Sequence, residues 1–142
     1  MINKLAKKRK KKGFTLIELV IVLAVLAIIA LIAIPNFTKV RNDSLAKADA
    51  RTAEQIEKIT LMAIANQDII VPSSKKSIII EDKGQLGTGT NIDFSSTGED
   101  SYKKMIQEVK KPQSNGKVSY KVEINTDGSV DVLYGDNTSI TK

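Results

Sequence analysis

The residue with the most conspicuous chemistry is Glu18. It lies within Phe14–Ile34, a run of 21 residues in which only Thr15 and Glu18 are not apolar. A carboxylate inside such a run is costly in lipid and is a candidate functional group for that reason. The competing reading puts Glu18 near a helix end, where its head reaches the headgroup layer. Other chemistry is sparse. The chain has no His and no Cys, which removes the usual zinc sites and the common Ser-His and Cys-His nucleophile arrangements. Gly84-Gln-Leu-Gly-Thr-Gly-Thr contains Gly-x-Gly but lacks the third glycine, the lysine and the following helix of a phosphate-binding loop. Asp127, Asp131 and Asp136 could be offered to calcium as oxygen ligands. Turn and surface positions explain them better. The expectation is no metal, no cofactor and no catalytic residue.

The element that must position Glu18 is the apolar run itself. As an α-helix it would be ~31 Å long, enough to cross a bilayer core. Before it stand Met-Ile-Asn-Lys-Leu-Ala-Lys-Lys-Arg-Lys-Lys-Lys-Gly, with seven positive charges and no acid. Such a block holds its side of a membrane in the cytoplasm. A secretory signal would be cut after the apolar region at small residues. Ala30 and Ala33 could pass for such a site, but the run is long for a signal and Pro35 follows.

Gly13, Phe14, Glu18 and Pro35, in this order behind a basic leader, resemble the N-terminus of a type IV prepilin. The resemblance runs from about Lys11 to Asn36. It implies cleavage between Gly13 and Phe14 by a membrane prepilin peptidase, N-methylation of the new Phe14 amine, and retention of the apolar helix. It also implies that Glu18, fifth in the mature chain, meets the terminal amine of a neighbouring subunit. That pairing would offset two charges that are each unfavourable in lipid. Filaments of this family often unwind just before the proline that matches Pro35. Many relatives have Gly within that segment, whereas Ala27, Ala30 and Ala33 are the small residues here. Many pilins of outer-membrane bacteria close a C-terminal disulfide loop, and this chain departs from that.

Charge supports a topogenic leader. The chain of 142 residues nets +6 with 22 basic and 16 acidic residues; without the seven leader cations, 15 face 16 and the remainder nets −1. The basic balance is therefore poor evidence for nucleic-acid binding.

The rest reads as follows. Residues 1–13 are a cleaved leader, 14–35 an apolar transmembrane and filament-core helix, 36–66 an amphipathic helix half, and 67–142 a globular α+β head. Pro35 should kink the helix. Phe37, Val40, Ser44, Leu45, Ala48, Thr52, Ile56, Ile59 and Ala63 form the expected apolar stripe, and Asn66 the C-cap. Ser77–Glu81 suits a strand. Residues 100–111 suit a short helix capped by Asp100, with Tyr102, Met105, Ile106 and Val109 on one face. Val118, Tyr120, Val122 and Ile124 alternate, then Asn125-Thr-Asp-Gly128 turns into Val130, Val132 and Tyr134, a hairpin signal. The tail from Gly135 should lie on the surface or fray.

The expected architecture is α+β: a long N-terminal helix whose second half packs on a small antiparallel sheet. The expected function, following the resemblance, is a structural subunit of a type IV pilus that is itself no enzyme. Its partners would be further copies in a helical filament, the prepilin peptidase, an assembly ATPase, a membrane platform and minor pilins. It would pass from the cytoplasmic membrane to the cell surface. Adhesion, motility, biofilm formation and DNA uptake are all open to such a filament. A type II secretion pseudopilin or a competence pilin is the alternative within the family. A single-pass tethered binding module is the alternative outside it.

Overall fold

The computed structural model describes residues 13–141. Of the expected leader, only Gly13 falls among them. The long helix α1 (Leu16–Ala65) has 50 residues and contains Pro35. Pro35 has no amide for the carbonyl four residues back. Side chains add bonds around it: Asn36 Nδ2 donates to the Ile32 carbonyl at 3.1 Å, and Thr38 Oγ1 to the Pro35 carbonyl at 2.8 Å. The helix does not end at the proline. The chain falls into two compact units, Met1–Lys39 and Val40–Lys142, and α1 belongs to both.

In the first unit the large apolar side chains from Leu16 to Ile34 are exposed among the described residues. The second unit is α+β. Strands β1 (Lys76–Ile80), β2 (Tyr120–Ile124) and β3 (Val130–Tyr134) form one antiparallel sheet in the order β1-β2-β3. Ile78 pairs with Val122, and Val122 with Val132. Strict alternation puts Ile78, Ile80, Tyr120, Val122, Ile124, Val130 and Tyr134 in the core. The turn after β2 forms as expected. Gly128 takes φ 81° and donates to the Asn125 carbonyl, and Asn125 donates to the Ser129 carbonyl. Val118 departs from the alternation. It lies before β2 begins and is 74% exposed.

The buried face of α1 is Asp49, Ala50, Ala53, Ile56, Thr60 and Ala63. The expected stripe is right at Ile56 and Ala63 and wrong further back. Phe37 and Val40 are 70% and 65% exposed, and Ala48 is also exposed. Spacings of three and four residues run back from Ile56 through Ala53 to Asp49, so the core face carries the Asp49 carboxylate rather than the expected Ala48. The end of α1 is closed by a Schellman motif. Asp68 N donates to the Ala63 carbonyl at 2.9 Å and Gln67 N to the Ile64 carbonyl at 3.0 Å. Asn66 is therefore the C-cap, and Gln67 takes the left-handed position with φ 63°.

The second helix, α2 (Gly98–Ile106), begins and ends before the expected 100–111. Thr97, not Asp100, is its N-cap residue. The reason is a turn upstream: Ser95 N donates to the Asp68 carbonyl, and Gly98 N to the Ser95 carbonyl. A Cβ on Gly98 would collide with the Asp68 carbonyl, so the close approach requires glycine. Val109 is buried beyond the helix end, with its amide on the Ile106 carbonyl. The tail is also more ordered than expected. Tyr134 N donates to the Thr138 carbonyl, Leu133 bridges to Ser139, and Ile140 enters the core.

Candidate functional site

The N-terminal site is built by the first turn of α1. Gly13, Phe14 and Thr15 are not helical. Thr15 is the N-cap residue and Glu18 the third helical residue, the two positions of a capping box. Glu18 N donates to Thr15 Oγ1 at 3.3 Å. In return Glu18 Oε2 accepts from the Thr15 amide at 2.7 Å and from the Thr15 hydroxyl at 2.9 Å. The helix therefore starts two residues after the Gly13–Phe14 bond. A Cβ built on Gly13 would meet nothing within 4 Å, and Phe14 is 92% exposed. The bond is presented in open, non-helical backbone. Phe14 and Leu19 flank the box at the positions of a hydrophobic staple and line one concavity with Ile21 and Val22.

Gly13, Phe14 and Glu18 are thus brought together within one turn. Pro35 lies about five turns away. It lines a separate apolar concavity with Ala27, Ala30, Leu31 and Ile34. Between Phe14 and Thr38, Glu18 is the one ionisable side chain. The apolar pattern alone marks Thr15 only as a polar exception in the run. The Thr-x-x-Glu spacing was the signal that could have identified it as a cap.

A second constellation lies in the head, around Asp49, which is 1% exposed. Asp49 Oδ1 accepts from Gln113 N at 2.6 Å and Oδ2 from Ser114 N at 2.9 Å. Tyr134 OH donates to Oδ2 at 3.1 Å and Tyr120 OH more loosely to Oδ1 at 3.4 Å. Burial pushes the Asp49 pKa up. The Gln113 amide, with the donors from Ser114 and Tyr134, outweighs it and holds the carboxyl below its ordinary value. Burial first, and then the Asp49 charge, raise the Tyr120 phenol. The two rings stack with centroids 6.3 Å apart. About three turns further along α1, Thr60 Oγ1 donates to the Ile56 carbonyl and accepts from Tyr102 OH, both at 2.8 Å. Burial pushes the Tyr102 pKa up to about 12 against that bond. Among the described residues, no buried side-chain polar atom lacks a hydrogen-bond partner.

The three acids considered for calcium are engaged elsewhere. Asp127 accepts from the Ser129 amide and hydroxyl. Asp131 accepts from Asn125 Nδ2. Asp136 pairs with Lys117 at 2.6 Å and accepts from Thr138 N. Lys117 foremost, with Thr138, lowers the Asp136 pKa. Among the described residues, no group of three or more acids is placed to hold a metal ion.

Residues 8–34 match the family model of the prokaryotic N-terminal methylation motif. Over 126 residues the chain is 36% identical to the prepilin peptidase-dependent protein A of Clostridium perfringens (strain 13 / Type A). That similarity covers 89% of this chain and 86% of the relative. No solved structure matches.

Proposed function

We propose, for a chain that belongs to the type IV pilin-like proteins with an N-terminal methylation motif, that it is a structural subunit of a surface filament. The precursor is anchored by its apolar helix with the basic leader in the cytoplasm. A prepilin peptidase cuts between Gly13 and Phe14, and the Phe14 amine is then methylated. The mature chain keeps its apolar helix, and these helices gather into the filament core. Glu18 pairs with the terminal amine of a second copy as that copy joins. An ATPase, a membrane platform and minor pilins serve the assembly, and the chain catalyses no reaction of its own.

One observation carries the reading. The Gly13–Phe14 backbone stands directly before an apolar helix whose side chains are exposed among the described residues. A bilayer covers such a helix before assembly, and other copies of it do so afterwards. Among the assembled helices its one carboxylate needs a partner, and the amine that cleavage frees on a second copy is of the right charge. A tethered binding module needs the apolar helix but has no use for the cleavage geometry.

Immunogold electron microscopy of the producing cell tests the proposal. Labelled filaments that vanish when the gene is deleted are expected. Label confined to the membrane would contradict a surface filament. Short filaments appearing only when the protein is overproduced would favour a secretion pseudopilin.

A further inference from the structure

We infer that Asn115-Gly116 is a self-modifying site, at which the Gly116 amide attacks the Asn115 side chain and converts it to aspartate and isoaspartate. The pair occupies the middle of an exposed turn in the head. Lys117 N donates to the Ser114 carbonyl at 3.2 Å, and Gly116 has φ 76°. This is the type II form, which favours glycine at its third residue. A Cβ on Gly116 would meet nothing within 4 Å, so the surroundings leave room for the amide to reach the Asn115 side chain. Among the described residues, neither the Gly116 amide nor the Asn115 side chain has a hydrogen-bond partner. Nucleophile and electrophile are both free, on adjacent residues.

Other candidates in the head are held. Gly128 follows Asp127, but its amide donates to the Asn125 carbonyl, and Asp127 accepts from Ser129. Asn137 Oδ1 accepts from Lys121 Nζ, and the Thr138 amide that would attack Asn137 donates to Asp136. Asn91 accepts from the Ser77 amide, and Asn125 donates to Ser129 and Asp131. A β-branched residue also follows Asn91, Asn125 and Asn137 and crowds the attacking nitrogen.

In the first step the Gly116 nitrogen gives its proton to solvent and bonds to Asn115 Cγ. The Cγ–Nδ2 bond breaks, and ammonia leaves with a proton from water. Water then opens the resulting succinimide. Attack at Cγ gives aspartate. Attack at the backbone carbonyl carbon gives isoaspartate, whose chain runs through Cβ and gains an extra backbone atom. The net change is water in and ammonia out. The extra atom falls beside bonds that join the head to α1. The Gln113 and Ser114 amides hold Asp49 at 2.6 and 2.9 Å, and Lys117 Nζ, on the other side of the turn, is bonded to Asp136 and Thr138. With both sides anchored, isoaspartate strains the bond from Ser114 to Asp49. The chain has no Cys, so no disulfide opposes the loosening. The site marks the age of the head and weakens it, whether or not the chain forms filaments.

The test ages the chain, purified in detergent, in warm and mildly alkaline buffer. Peptide mass mapping follows each asparagine, and an isoaspartyl methyltransferase detects isoaspartate. The parent should lose the Asn115 amide before those of Asn91, Asn125 and Asn137, and its head should melt at a lower temperature as isoaspartate accumulates. Asn115→Gln, which must close a larger ring, should keep both its amide and its melting temperature. Fresh Asn115→Asp, with the new charge on an unlengthened backbone, should melt like the fresh parent. An Asn115 amide that outlasts the other three would overturn the site. Conversion without a fall in melting temperature, an equal fall in aged Asn115→Gln, or a low-melting fresh Asn115→Asp would overturn its effect on the Asp49 bonds.

Discussion

Asp49 holds the head together at the level of single residues. It joins α1 to segments 64 to 85 residues away through the Gln113 and Ser114 amides and the two tyrosine hydroxyls. Replacing it with alanine strands those donors, so Asp49→Ala should destabilise the head by roughly 3 kcal/mol or more. Thermal unfolding of the mature chain in detergent measures this. The pH dependence has a definite sign. The folded state favours the ionised carboxylate, so the unfolded state binds more protons at acid pH. The contribution is complete above the unfolded pKa of about 3.9 and is lost as pH falls through the lower folded value. Asp127, Asp136 and Glu123 are shifted the same way. Asp49→Asn should therefore flatten the acid slope of the unfolding curve without abolishing it. An unchanged slope would show that Asp49 titrates alike in both states. Its role was not legible in sequence because every donor it accepts from is remote along the chain. The contacts of Glu18 differ in this respect, because its partner Thr15 stands three residues away and the Thr-x-x-Glu spacing is a local signal.

The elements divide in the same way. The sheet was readable because period-two alternation and an Asp-Gly turn are local signals, and β1, β2 and β3 form where those signals stand. The start of α2 was not, because it is set by a turn folded onto the Asp68 carbonyl. Gly98→Ala should disrupt that contact and lower the melting temperature, although alanine is the better helix former. At the end of α1 the opposite change should help. Gln67 holds a left-handed conformation that costs a side-chain-bearing residue about 1 kcal/mol. Gln67→Gly should therefore stabilise the head by about 0.5–1 kcal/mol, measured by denaturant unfolding. A loss of stability would mean that the Gln67 side chain contributes more than its backbone strain costs.

At the scale of the whole molecule, the two units have opposite needs. Val40–Lys142 buries its own core, whereas the large apolar side chains from Leu16 to Ile34 are exposed among the described residues. The mature chain should aggregate without detergent, and a version beginning at Val40 should stay monomeric; size-exclusion chromatography of the two checks this. The central claim is that the leader is removed and the apolar helix is kept. The intact mass and N-terminal sequence of the protein sheared from the cell surface test it most directly. The account predicts a chain that begins at Phe14 and carries one methyl group on its amine. A chain still beginning at Met1 and held in the membrane, or one beginning beyond Pro35, would contradict it.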